Sequence, residues 1–148
     1  MRIKPFLLFA ALSSACARTP PAPTSPAVAP PLVVGAFEDD YGERHLVSAS
    51  EWLQQPASRY HIVRWVPERQ YLIARNDSAN RSAPGRWTRI DWLPLTGMPP
   101  YEWGFCFSAY AAPSAAAAES VTVARPETPR TGCNGYPYTR MRRIAGGR

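Results

Sequence analysis

The chain has 148 residues, a length that is enough for one domain of ordinary size. Of these residues 45% are hydrophobic, and the formal net charge is +6. Beyond residue 15 the chain has 15 basic and 11 acidic side chains, and every one of these basic residues is an arginine. The arginines are scattered, apart from a cluster at Arg140, Arg142 and Arg143. Scattered arginines form no continuous face that follows a phosphate backbone, so the composition argues against a nucleic-acid partner.

Residues 1–15, MRIKPFLLFAALSSA, predict a secretory signal peptide. Arg2 and Lys4 give a basic start, an apolar run extends from Phe6 to Leu12, and small residues follow. The apolar run is much shorter than the roughly 20 residues that span a bilayer. The pattern therefore indicates an export signal rather than a permanent transmembrane helix.

The stretch LSSAC, which ends at Cys16, resembles the lipobox of bacterial lipoproteins. The resemblance implies cleavage before Cys16 and a diacylglyceryl group on its thiol, so that the membrane becomes a partner through a lipid anchor. Ser13 stands where the motif usually has leucine, and Leu12 lies one place earlier. The alternative is an ordinary signal peptide cut near Ala15 or Ala17. Because Ala17 rather than aspartate follows the cysteine, the outer membrane is the predicted location in a host with two membranes.

Residues 16–31 are expected to form a tether behind the lipidated cysteine. The part from Arg18 to Pro31, RTPPAPTSPAVAPP, has six prolines in fourteen residues. Such a segment favours an extended polyproline II conformation, which at about 3.1 Å per residue spans up to about 40 Å. The sequence thus predicts a stalk between the membrane and a folded domain.

Residues 32–148 are predicted to form a single β-rich domain. The turn EDDYGE, with Gly42 at a position suited to positive φ, predicts a hairpin between the first two strands. Residues 48–56 are expected to form at most a short helix or a bent strand. Short segments of strand composition follow one another, bounded by turn formers, at residues 32–37, 44–48, 59–66, 70–75, 86–93, 101–109 and near 136–144.

Helical periodicity occurs once, in the Ala-rich residues 113–124, where Pro113 suits a first helical turn. The predicted fold class is therefore mainly β, an antiparallel meander or small barrel-like sheet with one late Ala-rich α-helix. An α+β arrangement is the alternative.

The three cysteines are an odd number, which in an exported protein indicates one thiol without a disulfide partner. If Cys16 carries the lipid, Cys106 and Cys133 remain as one pair in an oxidising compartment. A metal site needs more ligands than these two isolated cysteines provide.

The stretch GRWTRIDW, residues 85–92, places two opposite charges in the most aromatic predicted strand. Side chains alternate in a strand, so Trp87, Arg89 and Asp91 share one face, and Thr88, Ile90 and Trp92 share the opposite, core-facing side. One hypothesis is a cleft in which Arg89 engages an anionic group, Asp91 orients it and Trp87 stacks on the ligand. The favoured interpretation is a scaffold, in which the two charges pair with each other or with the backbone of the NDSAN loop.

Alternation also places Tyr101, Trp103, Phe105 and Phe107 on one face of YEWGFCF. We interpret this face as part of the core, with an aromatic platform for a glycan as the alternative.

The acidic residues around Asp39 and Asp40 are read as turn residues, since the alternating ligands of a calcium loop are missing. His45 and His61 have no zinc-site spacing, and no G-x-S-x-G or Gly-rich phosphate loop occurs. The sequence therefore predicts no cofactor, no metal and no catalytic residue.

The order of motifs from Phe37 to about Met141 is similar to that of a family of small secreted or lipid-anchored bacterial proteins with no characterised activity. The shared pattern comprises DDYG, ARNDSAN, GRWTRIDW, a cysteine, the Ala-rich segment and GCNGYPY, of which R-[IF]-D-W is the most specific part. The resemblance implies a fold with a Cys106–Cys133 bridge and implies no activity.

These observations predict an envelope lipoprotein with a non-enzymatic domain in a structural or protein-interacting role. A small-ligand or glycan-binding domain that uses Trp87, Arg89 and Asp91 is the first alternative, and a hydrolase with an unrecognised site is the second. The expected partners are the membrane, through the lipid anchor, and in addition envelope proteins or glycans.

Overall fold

The computed structural model of the protein describes residues 28–145. The predicted signal peptide, Cys16 and the part of the tether before residue 28 lie outside this range. The described elements, in chain order, are β1 (Gly35–Asp39), β2 (Arg44–Val47), β3 (Glu51–Gln54), β4 (Ser58–Val66), the 3-10 turn Pro67–Arg69, β5 (Tyr71–Asn76), β6 (Trp87–Pro94), β7 (Trp103–Ala112), α1 (Ala115–Glu119) and β8 (Thr139–Arg143).

The eight strands form a closed antiparallel barrel in which each strand pairs with the next one along the chain. The barrel closes between β8 and β1, where Phe37 lies opposite Arg143 and Asp39 lies opposite Met141. The predicted fold class, mainly β with one late helix, is confirmed. Strands β4 to β7 lie within a few residues of the predicted segments, because turn formers and alternating apolar residues mark their limits.

Aromatic side chains fill the barrel interior. Phe37 and Trp103 meet edge to face with ring centroids 5.1 Å apart, and Trp52 and Phe105 do the same at 5.1 Å. The interior of an eight-stranded barrel is just wide enough for side chains to fill it. Trp103 and Phe105 are buried there and Phe107 packs against them, so the core interpretation holds for these three residues and they cannot stack on a glycan from outside. Tyr101 precedes β7 and contacts Arg140 instead.

The hairpin between β1 and β2 has the predicted turn. Gly42 has a φ of 87°, a left-handed conformation that glycine adopts without steric cost. One carboxylate oxygen of Asp39, Oδ1, accepts hydrogen bonds from the backbone N–H groups of Tyr41 and Glu43, each at 2.9 Å. Asp39 thus holds the turn through its own side chain, as aspartate commonly does.

The late helix is much shorter than the predicted residues 113–124. It begins after Ser114, whose hydroxyl oxygen caps the first turn, so Pro113 precedes the cap instead of lying within the helix. It ends at Glu119, before the β-branched residues 121–123, which have low helix propensity.

At the start of the domain, one predicted limit needs correction and one open alternative is decided. The first strand was expected at residues 32–37 but begins at Gly35, because Val33 instead inserts into the aromatic core. Residues 48–56 contain strand β3, as the bent-strand alternative predicts, rather than a helix.

One side of the outer surface of the barrel is covered by α1 and by the irregular residues 120–138, which we call the covering segment. The helix packs on Tyr71 and Ile73, and the covering segment packs on Leu93 and Cys106. Strand β6 is consequently buried on both faces along most of its length. A charged side chain on its outer face is therefore shielded from water.

Candidate functional site

The structure places Arg89 and Asp91 together on the outer face of β6, under α1 and the covering segment. Their exposed fractions are only 5% and 6%. Trp87 lies on the same face but belongs to the apolar cluster beneath α1, and it does not line the pocket that Arg89 and Asp91 border. The three residues proposed for one cleft are therefore divided between two environments.

Arg89 and Asp91 form a bidentate ion pair. Nε and Nη2 of Arg89 donate hydrogen bonds to Oδ2 and Oδ1 of Asp91, at 2.8 Å and 2.6 Å. The hydroxyl of Ser108 on the neighbouring strand β7 donates to Oδ2 of the same carboxylate. Two parallel N–H···O bonds fix the guanidinium and the carboxylate in one plane, which is the geometry that arginine provides and lysine does not.

The same arginine also holds helix α1. Its Nη1 donates to the carbonyl oxygen of Glu119 at 2.7 Å, a group at the end of the helix that lacks an intrahelical partner. The guanidinium carbon lies 4.0 Å from the centre of the Tyr71 ring. The Tyr71 hydroxyl donates to Oε1 of Glu119 at 2.7 Å, and Arg64 pairs with the other carboxylate oxygen. These two hydrogen bonds, that from Tyr71 first, lower the pKa of Glu119.

The hydrogen bonds of the pair go to residues outside the NDSAN loop. The amide side chain of Asn80 in that loop instead binds the backbone N–H and C=O of Arg59, at 2.9 Å and 2.8 Å, and so fixes the start of β4. Of the two scaffold partners predicted for Arg89 and Asp91, the structure shows the contact with each other, together with a contact to α1 that the sequence did not indicate.

The predicted Cys106–Cys133 disulfide is present, with the two Cα atoms 5.4 Å apart. Cys106 lies on β7 directly opposite Asp91 of β6, so the barrel end of the disulfide lies beside the ion pair. Cys133 in turn pairs with Ala124 through an isolated backbone bridge. The disulfide therefore attaches the covering segment to the strand that neighbours the charged residues.

A second buried polar group, which the sequence interpretation missed, lies inside the barrel against Trp52 and Phe105. The indole N–H of Trp52 donates to Nδ1 of His45 at 3.0 Å, and Nε2 of His45 lies 3.0 Å from Oδ2 of Asp39. Because Nδ1 accepts, Nε2 carries the proton and donates to the carboxylate. Burial lowers the pKa of His45 and outweighs the opposing effect of Asp39. The sequence contained a signal for the burial of His45, because residues two apart on a strand share a face and His45 therefore lies on the same inward face of β2 as the apolar Val47.

Asp39, Glu43 and His45 have ligand atoms within 4.8 Å of one another, which is the spacing of a metal site. Both ring nitrogens of His45 are already engaged, and Asp39 accepts three hydrogen bonds. An ion would have to displace Trp52 or Asp39 from the histidine. The chemistry of this donor set is that of a hydrogen-bonded turn.

His61 lies far along the chain from this group, on the exposed side of β4. Its Nε2 is 2.7 Å from Oδ2 of Asp77, whose pKa is lowered first by the backbone N–H of Ala79 and then by His61. The two histidines are thus in separate environments, one buried and one exposed.

A groove of about 490 Å³ opens between the β1–β2 turn, the β6–β7 loop and the covering segment. We call it the tyrosine groove, because Tyr41, which is 77% exposed, stands at its edge. Arg140 at its base pairs with Asp40 at 2.8 Å, whereas Arg130 has no carboxylate within ion-pair distance among residues 28–145. The groove is lined by Asp40, Tyr41, Leu95, Met98, Pro129, Arg130, Pro137, Tyr138 and Arg140.

Comparison of the chain with models of protein families, with curated proteins and with solved structures gave no match. The resemblance to a family of small exported bacterial proteins therefore stays a prediction. Within residues 28–145, no helix has the length and apolar character needed to cross a membrane.

Proposed function

We propose that the protein is a bacterial cell-envelope lipoprotein whose barrel domain has a non-enzymatic, structural or protein-interacting role. The observation that carries the proposal is the Cys106–Cys133 disulfide. Disulfides persist mainly in oxidising compartments, which supports export. The bridge also leaves Cys16 as the one cysteine of three without a disulfide partner, at the position where a lipobox places the lipid.

The engagement of the buried polar groups supports a non-enzymatic role. Arg89 and Asp91 bind each other and α1, and His45 is held between Asp39 and Trp52. General acid–base catalysis needs a titratable group that reaches a substrate proton. Among residues 28–145, these buried groups instead have protein partners on their functional atoms.

The tyrosine groove is the surface that we propose for a protein partner. Exposed tyrosine and arginine are the residue types that contribute most to protein interfaces. The apolar walls and Arg130 at the rim suit an extended segment of an envelope protein that carries an apolar and an acidic side chain.

Site-specific photo-cross-linking in the intact envelope tests this role. A photoreactive residue in place of Tyr41 should give a discrete cross-linked product, and Arg130→Glu should weaken it because the rim charge is reversed. Tyr136, which is 72% exposed but does not line the groove, is the matched control position. Equal products from both positions, or a product that Arg130→Glu leaves unchanged, would exclude the groove as the interaction surface.

A small-ligand function is the second candidate, because one specific observation favours it. A separate pocket of about 210 Å³ is bordered by Arg89 and Asp91, two of the residues that the sequence singled out for ligand binding.

A further inference from the structure

The pocket beside the ion pair, which we call the Tyr138 pocket, lies between the outer face of the barrel and the covering segment. Its volume is about 210 Å³. Arg89 and Asp91 of β6 border it from the barrel, Arg69 and Gln70 from the β4–β5 connection, and the covering segment from outside, through residues that include Thr122 and Tyr138.

The charged groups that border the pocket retain hydrogen-bonding capacity. A guanidinium has five N–H groups, and three of those of Arg89 are donated to Asp91 and Glu119. One N–H on each terminal nitrogen is left. The Oδ1 atom of Asp91 accepts a single hydrogen bond, from Arg89, and can accept a second.

The hydroxyl of Tyr138 adds a hydrogen-bonding group to the lining of this pocket. The residue is only 2% exposed, yet its hydroxyl makes no hydrogen bond to any residue in the part of the chain that the structure describes. Burial, followed by the charge of Asp91, raises the pKa of Tyr138 to about 12, so the hydroxyl keeps its proton at neutral pH. Among residues 28–145, the fully buried side-chain nitrogen or oxygen without a partner is Nε1 of Trp103, so the Tyr138 hydroxyl keeps contact with solvent, and a hydrogen bond to a ligand would replace one to water.

Arg69 supplies a cation at the mouth of the pocket. Its side chain is exposed, and its guanidinium carbon lies 5.3 Å from the centre of the Tyr71 ring. It forms no ion pair with another residue in the range 28–145. The lining therefore has two arginines against one aspartate, and the aspartate is already paired.

We propose that the Tyr138 pocket binds a small hydroxylated carboxylate. Arg69, aided by the free N–H groups of Arg89, binds the carboxylate, while the Tyr138 hydroxyl and Oδ1 of Asp91 bind ligand hydroxyls. Charge-assisted bonds from arginine to a carboxylate are about twice as strong as neutral ones, so the carboxylate gives most of the affinity. The inference deepens the small-ligand candidate above and is independent of the lipid anchor.

Calorimetric titration of the purified full-length chain with D-glucuronate tests the inference, with D-glucose as the uncharged probe of the same ring. Glucuronate should bind saturably, and glucose should bind much more weakly. Arg69→Gln should weaken glucuronate binding by about tenfold, because a charge-assisted bond is lost. Tyr138→Phe, which removes only the hydroxyl, should weaken it by about threefold to tenfold.

Matched controls are Arg75→Gln and Tyr136→Phe, because both residues are exposed and neither lines the pocket. Both variants should bind glucuronate as the unmodified chain does. Absence of saturable glucuronate binding, unchanged affinity in Arg69→Gln, or equal weakening in the controls would each overturn the inference. Arg69 does not line the tyrosine groove. Failure of the glucuronate test therefore leaves the cross-linking test of that groove unaffected.

Discussion

At the scale of single residues, the buried ion pair of β6 raises the question of how two charges are retained under a helix. Removing an arginine and an aspartate from water costs several kcal/mol each, and their attraction offsets this only with good geometry and further hydrogen bonds. Here the contact is bidentate, Ser108 donates to the carboxylate, and Glu119 accepts from the guanidinium. The pair therefore depends on its complete set of partners.

Truncation of either partner should destabilise the domain strongly. Arg89→Ala and Asp91→Ala should each lower the free energy of unfolding by about 3–5 kcal/mol, because the remaining charge is left buried without its partner. The double variant should cost less than the sum of the two single changes. Denaturant titration measures all three, with the exposed Arg75→Ala as a control that keeps full stability. Full stability of either single variant would show that the ion pair is not part of the scaffold.

The buried His45 makes the stability of the domain depend on pH. Burial lowers its pKa below 6.5 in the folded state, whereas in the unfolded chain the pKa returns to about 6.5. Below about pH 6.5 the unfolded state binds more protons at this group than the folded state does, so the free energy of unfolding declines as the pH falls. Above about pH 6.5 the contribution of His45 to stability is constant.

We expect the denaturant midpoint to fall between pH 7 and pH 5 in the unmodified chain. The decline should persist in His61→Gln, because this variant keeps the buried His45. A midpoint that does not change over this range would contradict the neutral, doubly hydrogen-bonded state of His45.

At the scale of secondary structure elements, a disulfide cross-links the covering segment to the barrel. The Cys106–Cys133 disulfide closes a loop with a sequence separation of 27. Replacing both cysteines by alanine should lower the free energy of unfolding by about 3–4 kcal/mol, since the unfolded chain regains the freedom of that loop. Thiol titration of the unfolded, unreduced mature chain should find no free thiol from this pair. Two reactive thiols would show that the bridge is absent from the native protein.

The elements differ in how far their sequences determine them. Alternation and turn residues sufficed for β4 to β7, whose neighbours are also their pairing partners. The sequence left open whether the sheet is a meander or barrel-like, because β1 pairs with β8 from the far end of the chain and no local signal encodes that contact. The helix was overestimated, since alanine content indicated its existence while β-branched residues set its end.

In the candidate site, too, local contacts were predictable from the sequence and long-range contacts were not. Alternation placed Arg89 and Asp91 on one face, and their mutual contact is local. The contact to Glu119 depends on how α1 folds back over β6, and the approach of Tyr138 depends on the covering segment. Such tertiary contacts join residues that are distant along the chain, so the pattern of a single strand contains no information about them.

At the scale of the whole molecule, the barrel has an interior filled by aromatic side chains and one covered side. Two of its surface pockets, the tyrosine groove and the Tyr138 pocket, border the covering segment. In our account a lipid on Cys16 and the proline-rich tether hold the barrel at a membrane surface, where both pockets remain accessible to envelope partners.

Lipidation of Cys16 is the central claim of this account, and metabolic labelling with a fatty-acid analogue followed by membrane fractionation tests it most directly. The unmodified chain should incorporate the label and sediment with membranes. Cys16→Ser should lose the label and leave the membrane fraction, whereas a variant with alanine at both Cys106 and Cys133 should keep the label. A Cys16→Ser chain that stays membrane-associated, or an unmodified chain that takes up no label, would contradict the claim.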